Sequence, residues 1–263
     1  MRHDAKSVAP QASTAWNAFG WATHALFGVT VYYLFLFLKG VDAPLAATDR
    51  FAIVVDAALA MQFSIVHSAL LLPGVRKRLT RHIPQPAYGL FFCVCTCVTL
   101  LIAILEWRPY GGAIWQLSGG PRTAMQAAFY GAWIALFYSL ALTGLGYQTG
   151  WTTWRIWARG EKIPPREFRP RGAYCVMRHP VYLSFLCLVW FTPCMTYDRA
   201  CLTAVWTAYI FYGSHLKDRR LLHYLGDRYR IYQAHVPGYP GLPFGPLARV
   251  PWNESSEAAG AAS

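Results

Sequence analysis

Four long apolar stretches punctuate the chain, Trp16–Leu38, Phe51–Leu72, Ala87–Leu105 and Thr123–Tyr147, with charged residues gathered between them. Each reaches the length of about 20 residues needed to carry a helix across a bilayer. The C-terminal pattern is different. The apolar run Val181–Phe191 holds about 11 helical residues, or roughly 16 Å, about half of the hydrocarbon thickness. Thr192-Pro193 then breaks the helix, and Asp198 is placed to N-cap a second one from Arg199 to about Leu216. The simplest geometry is an antiparallel hairpin whose two ends lie on one membrane face. The pattern therefore predicts an all-α, polytopic integral membrane helical bundle of about four full transmembrane helices plus a C-terminal helical hairpin.

Composition agrees. Of 263 residues, 55% are hydrophobic and 14% charged, and the mean hydropathy is +0.26, which is too apolar for an ordinary soluble domain of this size. The net charge of +12 by itself suggests nucleic acid, yet the basic residues fall in short loops and no phosphate-reading motif accompanies them, so no nucleic-acid partner is expected. Arg76, Lys77, Arg78 and Arg81 follow the second span, and Arg155, Arg159, Lys162, Arg166, Arg169, Arg171 and Arg178 follow the fourth. The positive-inside rule puts these loops in the cytoplasm, and with them both termini. The first apolar run has full spanning length and no adjoining cleavage site, so it reads as an anchor and not a signal peptide. One membrane domain is expected over 15–249, flanked by a flexible N-terminus (1–14) and a disordered tail (250–263) rich in Ala, Ser and Glu.

The seven cysteines lie mostly in apolar segments, and no C-x-x-C pair or other metal-ligand spacing occurs. In a helix Cys95 points away from Cys93 and Cys97, so the three cannot share a metal. They read as small core residues, and no metal is expected.

Chemistry concentrates in Arg178-His179-Pro180-Val181-Tyr182, where a basic loop meets the hairpin. Pro180 suits a first helical turn and pushes His179 out of helical geometry, leaving its ring at the helix mouth. Free N–H groups there, the Arg178 cation and the Tyr182 hydroxyl would suit a carboxylate or phosphate. Interfacial anchoring of Arg178 and His179 at the headgroups is the competing reading. The hairpin returns Lys217-Asp218-Arg219-Arg220 to the same face.

Gly172 to Leu183 resembles the GxYxxxRHPxYxG signature of membrane S-adenosylmethionine methyltransferases, the group of isoprenylcysteine carboxyl methyltransferase and the phospholipid methyltransferases; Leu183 or Ser184 stands where a glycine is common. The segment Leu225-Gly226-Asp227-Arg228-Tyr229-Arg230-Ile231-Tyr232 to Val236-Pro237 is similar to that group's LGxxYxxYxxxVP tail. A narrower resemblance spans about Gln62 to Pro237. His67-Ser68, Tyr88, Glu106-Trp107-Arg108-Pro109 and Pro165-Arg166-Glu167-Phe168-Arg169 resemble the methanethiol S-methyltransferases and their nitrite-reductase-accessory-like relatives. That resemblance implies S-adenosyl-L-methionine as cofactor, methanethiol as a small thiol substrate reaching the site from the lipid bilayer, and dimethyl sulfide as product. It also implies a cofactor region over about 165–237, with Arg178, His179, Tyr182 and Asp218 binding the cofactor. Where the broader group has two adjacent glutamates, this chain has Lys217-Asp218. Asp218 would accept from the cofactor's amino group, hold Arg178, or pair with Arg219 or Arg220 at the surface.

Methyl transfer from a sulfonium requires alignment of nucleophile and methyl, exclusion of water, and a thiolate. His67, inside the second span, is the candidate catalytic base, since an intramembrane ionisable residue is a functional candidate by default; a neutral histidine bonded to a neighbouring helix is the alternative. His24 and Asp56 read as structural. Trp133, Phe137, Tyr138, Trp190, Trp206, Tyr209 and Tyr212 could line a pocket favouring a cation, or simply pack. Three functions follow: small-thiol methylation, methylation of a larger lipid or prenyl-cysteine acceptor, and a noncatalytic role such as that of the nuclear-envelope protein nurim, which the group resembles.

Overall fold

The structure, a computed structural model, describes residues 12–40, 51–110, 112–165 and 167–251. The expected tail beyond residue 251, the first eleven residues, and Asp42, Asp49, Arg50 and Arg166 lie outside the described residues.

The chain folds into ten α-helices among the described residues: α1 (Thr14–Lys39), α2 (Ala52–Leu71), α3 (Pro73–Leu79), α4 (Tyr88–Leu105), α5 (Gly119–Thr143), α6 (Leu145–Gln148), α7 (Trp151–Ala158), α8 (Pro180–Trp190), α9 (Tyr197–Leu225) and α10 (Asp227–His235). Helices α1, α2, α4 and α5 are long and apolar enough to cross a membrane. The Ser13 hydroxyl caps α1 by accepting from the Trp16 N–H, and Gly40, at φ 74°, ends it.

Helix α5 packs on α8, α1 on α4, and α2 on both α4 and α9. Their shared core includes Leu34, Leu38, Ala60, Leu100, Phe129, Trp133, Leu188 and Trp206. Only 22–33% of each spanning window is buried, and Trp21, Val54, Ile65 and Ile134 stand exposed. An apolar exterior of this extent is what a bundle in lipid presents. Close approach fixes one corner: a Cβ on Gly89 would lie 2.6 Å from Gly150 Cα, so α4 and the start of α7 touch backbone to backbone.

Three boundaries differ from the sequence reading. Helix α5 starts at Gly119 and stops at Gly144, which adopts φ 78°, so the apolar run to Tyr147 is split between α5 and α6. Asp198 is not an N-cap. Thr196 holds that position, and Asp198 is buried in the first turn of α9, where its carboxylate accepts from Trp107 Nε1 at 3.0 Å. Helix α9 also runs past Leu216 to Leu225, carrying Lys217 and Asp218 on a rigid rod beyond the apolar part of the hairpin. The hairpin tip holds a small ladder that periodicity did not foresee: β1 (Ala113–Gln116) pairs antiparallel with β2 (Cys194–Thr196), Ala113 facing Thr196 and Gln116 facing Cys194. It bonds the otherwise bare backbone at the turn. None of the seven cysteines is in a disulfide.

Candidate functional site

The signature loop reaches α8 through a single 3₁₀ turn at Gly172–Cys175. His179 sits before Pro180 with φ −125°, outside helical geometry as the proline requires. Its neighbours differ from expectation. The Arg178 N–H donates to the Pro237 carbonyl at 2.8 Å and the His179 N–H to the Gly238 carbonyl at 3.2 Å. The loop is thus stitched to the tail motif, and these two donors are not free for an anion.

Arg178 is 1% exposed. Its Nε and Nη2 donate to Asp218 Oδ2 at 3.1 and 2.9 Å. Nη1 donates to the carbonyls of Val236 (2.6 Å), Ala248 (3.1 Å) and Gln233 (3.4 Å), and Nη2 also to that of Pro246 (3.3 Å). Every nitrogen of the guanidinium is therefore engaged by protein acceptors, because a buried cation left short of partners would be severely penalised. The expected open cation is instead a tie that gathers α8, α9, α10 and the segment after it. Asp218 holds Arg178, one of the roles considered for it.

Asp218 takes two further neighbours. The Tyr229 hydroxyl donates to Oδ1, and His179 Nε2 lies 3.1 Å from the same oxygen. That second contact is close but not aligned as a hydrogen bond, and His179 Nδ1 has no partner either. The imidazole is fully buried against the rings of Tyr182 and Tyr239, not open at the mouth. Burial pushes the Asp218 carboxyl up, but His179, Tyr229 and Arg178 outweigh this and hold it below the ordinary carboxylate value. Burial lowers His179, opposed in part by Asp218. Lys217 is pushed down to about 8, mainly by burial and further by Arg220; its ammonium lies 5.3 Å from the Tyr182 ring centre and 5.6 Å from that of Tyr174.

Beside this network a cleft of about 320 Å³ opens between the end of α2, the start of α3 and the facing sides of α8 and α9. Ser68, Tyr182, Tyr209, Gly213 and Leu216 wall it, with Leu72, Arg219, Arg220 and His223 also on its lining. A Cβ on Gly213 would stand 3.5 Å from the Tyr182 ring and 3.9 Å from the Tyr209 ring, in van der Waals contact with both.

Of the residues expected at the site, Tyr182 lines the cleft, while Arg178, His179 and Asp218 form the network behind it. His67 is not in the wall. Its Nδ1 lies 2.7 Å from the Tyr209 hydroxyl, which also accepts from Ser68 at 3.2 Å. The sequence had marked His67-Ser68 as a pair but gave Tyr209 no more weight than six other rings. Trp133 and Trp206 belong to the core, and Phe137, Tyr138, Trp190 and Tyr212 are exposed. His24 bonds Gly20 and Thr149, and Asp56 accepts from the Arg108 N–H, both away from the cleft.

No family model matches the chain, and no solved structure does. Curated relatives do. Methanethiol S-methyltransferase 1 of Bradyrhizobium diazoefficiens is 28% identical over 83% of this chain and 79% of its own length. The methanethiol S-methyltransferase of Mycobacterium tuberculosis is 28% identical over 83% of this chain and 92% of its own. Nurim of Xenopus laevis is 26% identical over 59% of this chain and 58% of its own. These likenesses support a methyltransferase role. The chain is thus similar across most of its length to the methanethiol S-methyltransferases, and over a shorter stretch to nurim.

Proposed function

We propose that the protein is a membrane-embedded, S-adenosylmethionine-dependent methyltransferase that S-methylates a small thiol, methanethiol, to dimethyl sulfide. The observation that carries this reading is the cleft itself. In a chain similar to methanethiol S-methyltransferases over four fifths of its length, it opens at the place where the signature helix α8 faces the polar end of α9.

The lining fits such a donor. Arg219, Arg220 and His223 offer cations and donors for a carboxylate. The rings of Tyr182 and Tyr209 offer electron-rich faces to a sulfonium. When bound, S-adenosylmethionine supplies a methyl group activated by the positive charge on its sulfur. The protein's own contribution is placement and dryness. Arg178 and Asp218 lock the loop before α8, which sets Tyr182 in the wall. Leu71, Leu72 and Leu216 keep that wall apolar, so a charged reacting pair is poorly screened by water. The basic α3, with Arg76, Lys77 and Arg78, and the Arg219-Arg220 rim support a cytoplasmic position for this end and for both termini.

The test is headspace gas chromatography with mass detection on membranes containing the protein, given methanethiol and S-adenosylmethionine labelled with deuterium in the reactive methyl. Trideuterated dimethyl sulfide above that of membranes lacking the protein supports the proposal. Donor binding without that product moves the assignment to a larger acceptor. Absence of both favours the noncatalytic role suggested by the nurim likeness.

A further inference from the structure

Thiol methylation releases a proton, and the network around Arg178 offers no place for it. Asp218 is engaged by Arg178 and Tyr229, and His179 is enclosed behind Tyr182 and Tyr239. The cleft's rim carries Arg219, Arg220 and His223, and a separate hydrogen-bonded cluster touches it on the α2 side. Ser68 Oγ donates to Tyr209 Oη at 3.2 Å, and Tyr209 Oη lies 2.7 Å from His67 Nδ1. Both Ser68 and Tyr209 line the cleft, so the hydroxyl they share stands at its wall. His67 is set one residue back, packed on Phe63 and Phe92.

Hydrogen-bond direction follows from these partners. Tyr209 Oη accepts from Ser68, so its own hydrogen is free to go to His67 Nδ1 when the imidazole carries its proton on Nε2. An acceptor position on the phenolic oxygen is left for a ligand in the cleft. We propose that Tyr209 is a catalytic residue, the group that receives the thiol proton, and that His67 acts through it as the final proton acceptor, with Ser68 positioning the hydroxyl.

This rests on the small-thiol reading. As the thiol sulfur forms its bond to the methyl carbon, the donor's carbon–sulfur bond breaks and leaves its electron pair on the donor sulfur. The thiol proton moves to Tyr209 Oη while the Tyr209 proton passes to His67 Nδ1. The products are a neutral thioether, a neutral donor remnant and an imidazolium, so the positive charge that began on the sulfonium ends on His67. A relay through a phenol suits this place because it reaches a wall position that the imidazole does not occupy.

The experiment compares the full-length protein with Tyr209→Phe and His67→Gln in detergent, measuring kcat and KM for methanethiol from pH 6 to 9, and labelled S-adenosylmethionine binding by equilibrium dialysis. Expected for both variants are donor binding within about twofold of wild type and a kcat loss at neutral pH of about 100-fold or more, the usual scale of general acid–base assistance. The deficit should shrink by about tenfold per pH unit, because the variants depend on thiolate formed in solution while the wild type does not. A deficit that stays constant with pH, or Tyr209→Phe at wild-type rate, overturns the relay while leaving wild-type methyl transfer in place. A wild type with no product at any pH overturns the small-thiol reading and the relay with it. Should Tyr209→Phe lose donor binding, His67→Gln decides by the same pH criterion.

Discussion

Both ends of the bundle set an arginine on backbone carbonyls, yet the space beside the two differs about tenfold, at about 30 and about 320 Å³. At the signature end Arg178 joins Asp218 and the carbonyls of Gln233, Val236, Pro246 and Ala248. At the opposite end Arg199 donates to the carbonyls of Phe37 and Leu38, at 2.6 and 3.0 Å, and to Thr192 Oγ1 at 3.2 Å. There it closes the C-terminus of α1, whose last carbonyls lack helical partners. Beside Arg199's end the free space is about 30 Å³, near Phe191 and Cys194, enough for about one water. Beside Arg178 it is about 320 Å³. A buried cation is therefore no signature of a site in this molecule. What separates the ends is that residues of α2, α8 and α9 wall a cleft at one, whereas the β1–β2 ladder joins the loop before α5 to the hairpin tip at the other.

The largest expected effect breaks the comparison directly. Arg178→Ala strands the Asp218 carboxylate in a buried place and should cost about 3–5 kcal/mol; Arg199→Ala removes bonds to neutral groups and should cost about 1–3 kcal/mol. Unfolding in detergent measures both. Methyl transfer per folded molecule should survive the Arg199 change, and its selective loss there would erase the distinction between the ends.

A smaller effect lies in pH dependence. Lys217 titrates at about 8 when folded instead of its ordinary 10.5, so between those values the unfolded chain binds the extra proton and stability rises with pH. Lys217→Met should flatten that rise and stabilise the protein most below pH 8. Asp218 works at the acid side. Its carboxyl is held below 3.8, so its contribution is complete above that pH and is lost as pH falls through the lowered folded value. Thermal unfolding across pH checks both slopes, and an unchanged alkaline slope in Lys217→Met would deny Lys217 its buried setting.

The smallest change sharpens the cleft. Gly213→Ala fits between the Tyr182 and Tyr209 rings at van der Waals distance and removes a helix glycine, which favours folding by up to about 1 kcal/mol. It should nonetheless raise KM for methanethiol about threefold to tenfold by filling the wall. Unfolding and steady-state kinetics on one preparation show whether stability and KM rise together; an unaltered KM would place the substrate elsewhere.

Much of the fold was legible in apolar run lengths. The spans of α1, α2 and α4 follow from them within a few residues, since an uninterrupted apolar stretch in lipid must satisfy its backbone internally. The break at Thr192-Pro193 and the short α8 were legible for the same reason. The end of α9 was not, because Lys217 to Leu225 is polar and helical at once, a combination that hydropathy reads as loop. Asp198 looked like a cap and became an acceptor for Trp107, a partner 91 residues away in sequence.

The sequence by itself determined a bundle of spanning helices, the basic ends of that bundle, and the segment in which Arg178, His179 and Tyr182 come together, because run length, charge placement and a contiguous motif are local properties. Only the tertiary structure decided that Arg178 is spent on Asp218 and on carbonyls of the tail such as Val236 and Ala248, 58 and 70 residues away in sequence, that Tyr182 reaches the cleft while His179 does not, and that Tyr209 stands between His67 and the open space. Those outcomes depend on which partners α2, α8 and α9 bring within hydrogen-bond distance, and no local pattern encodes that.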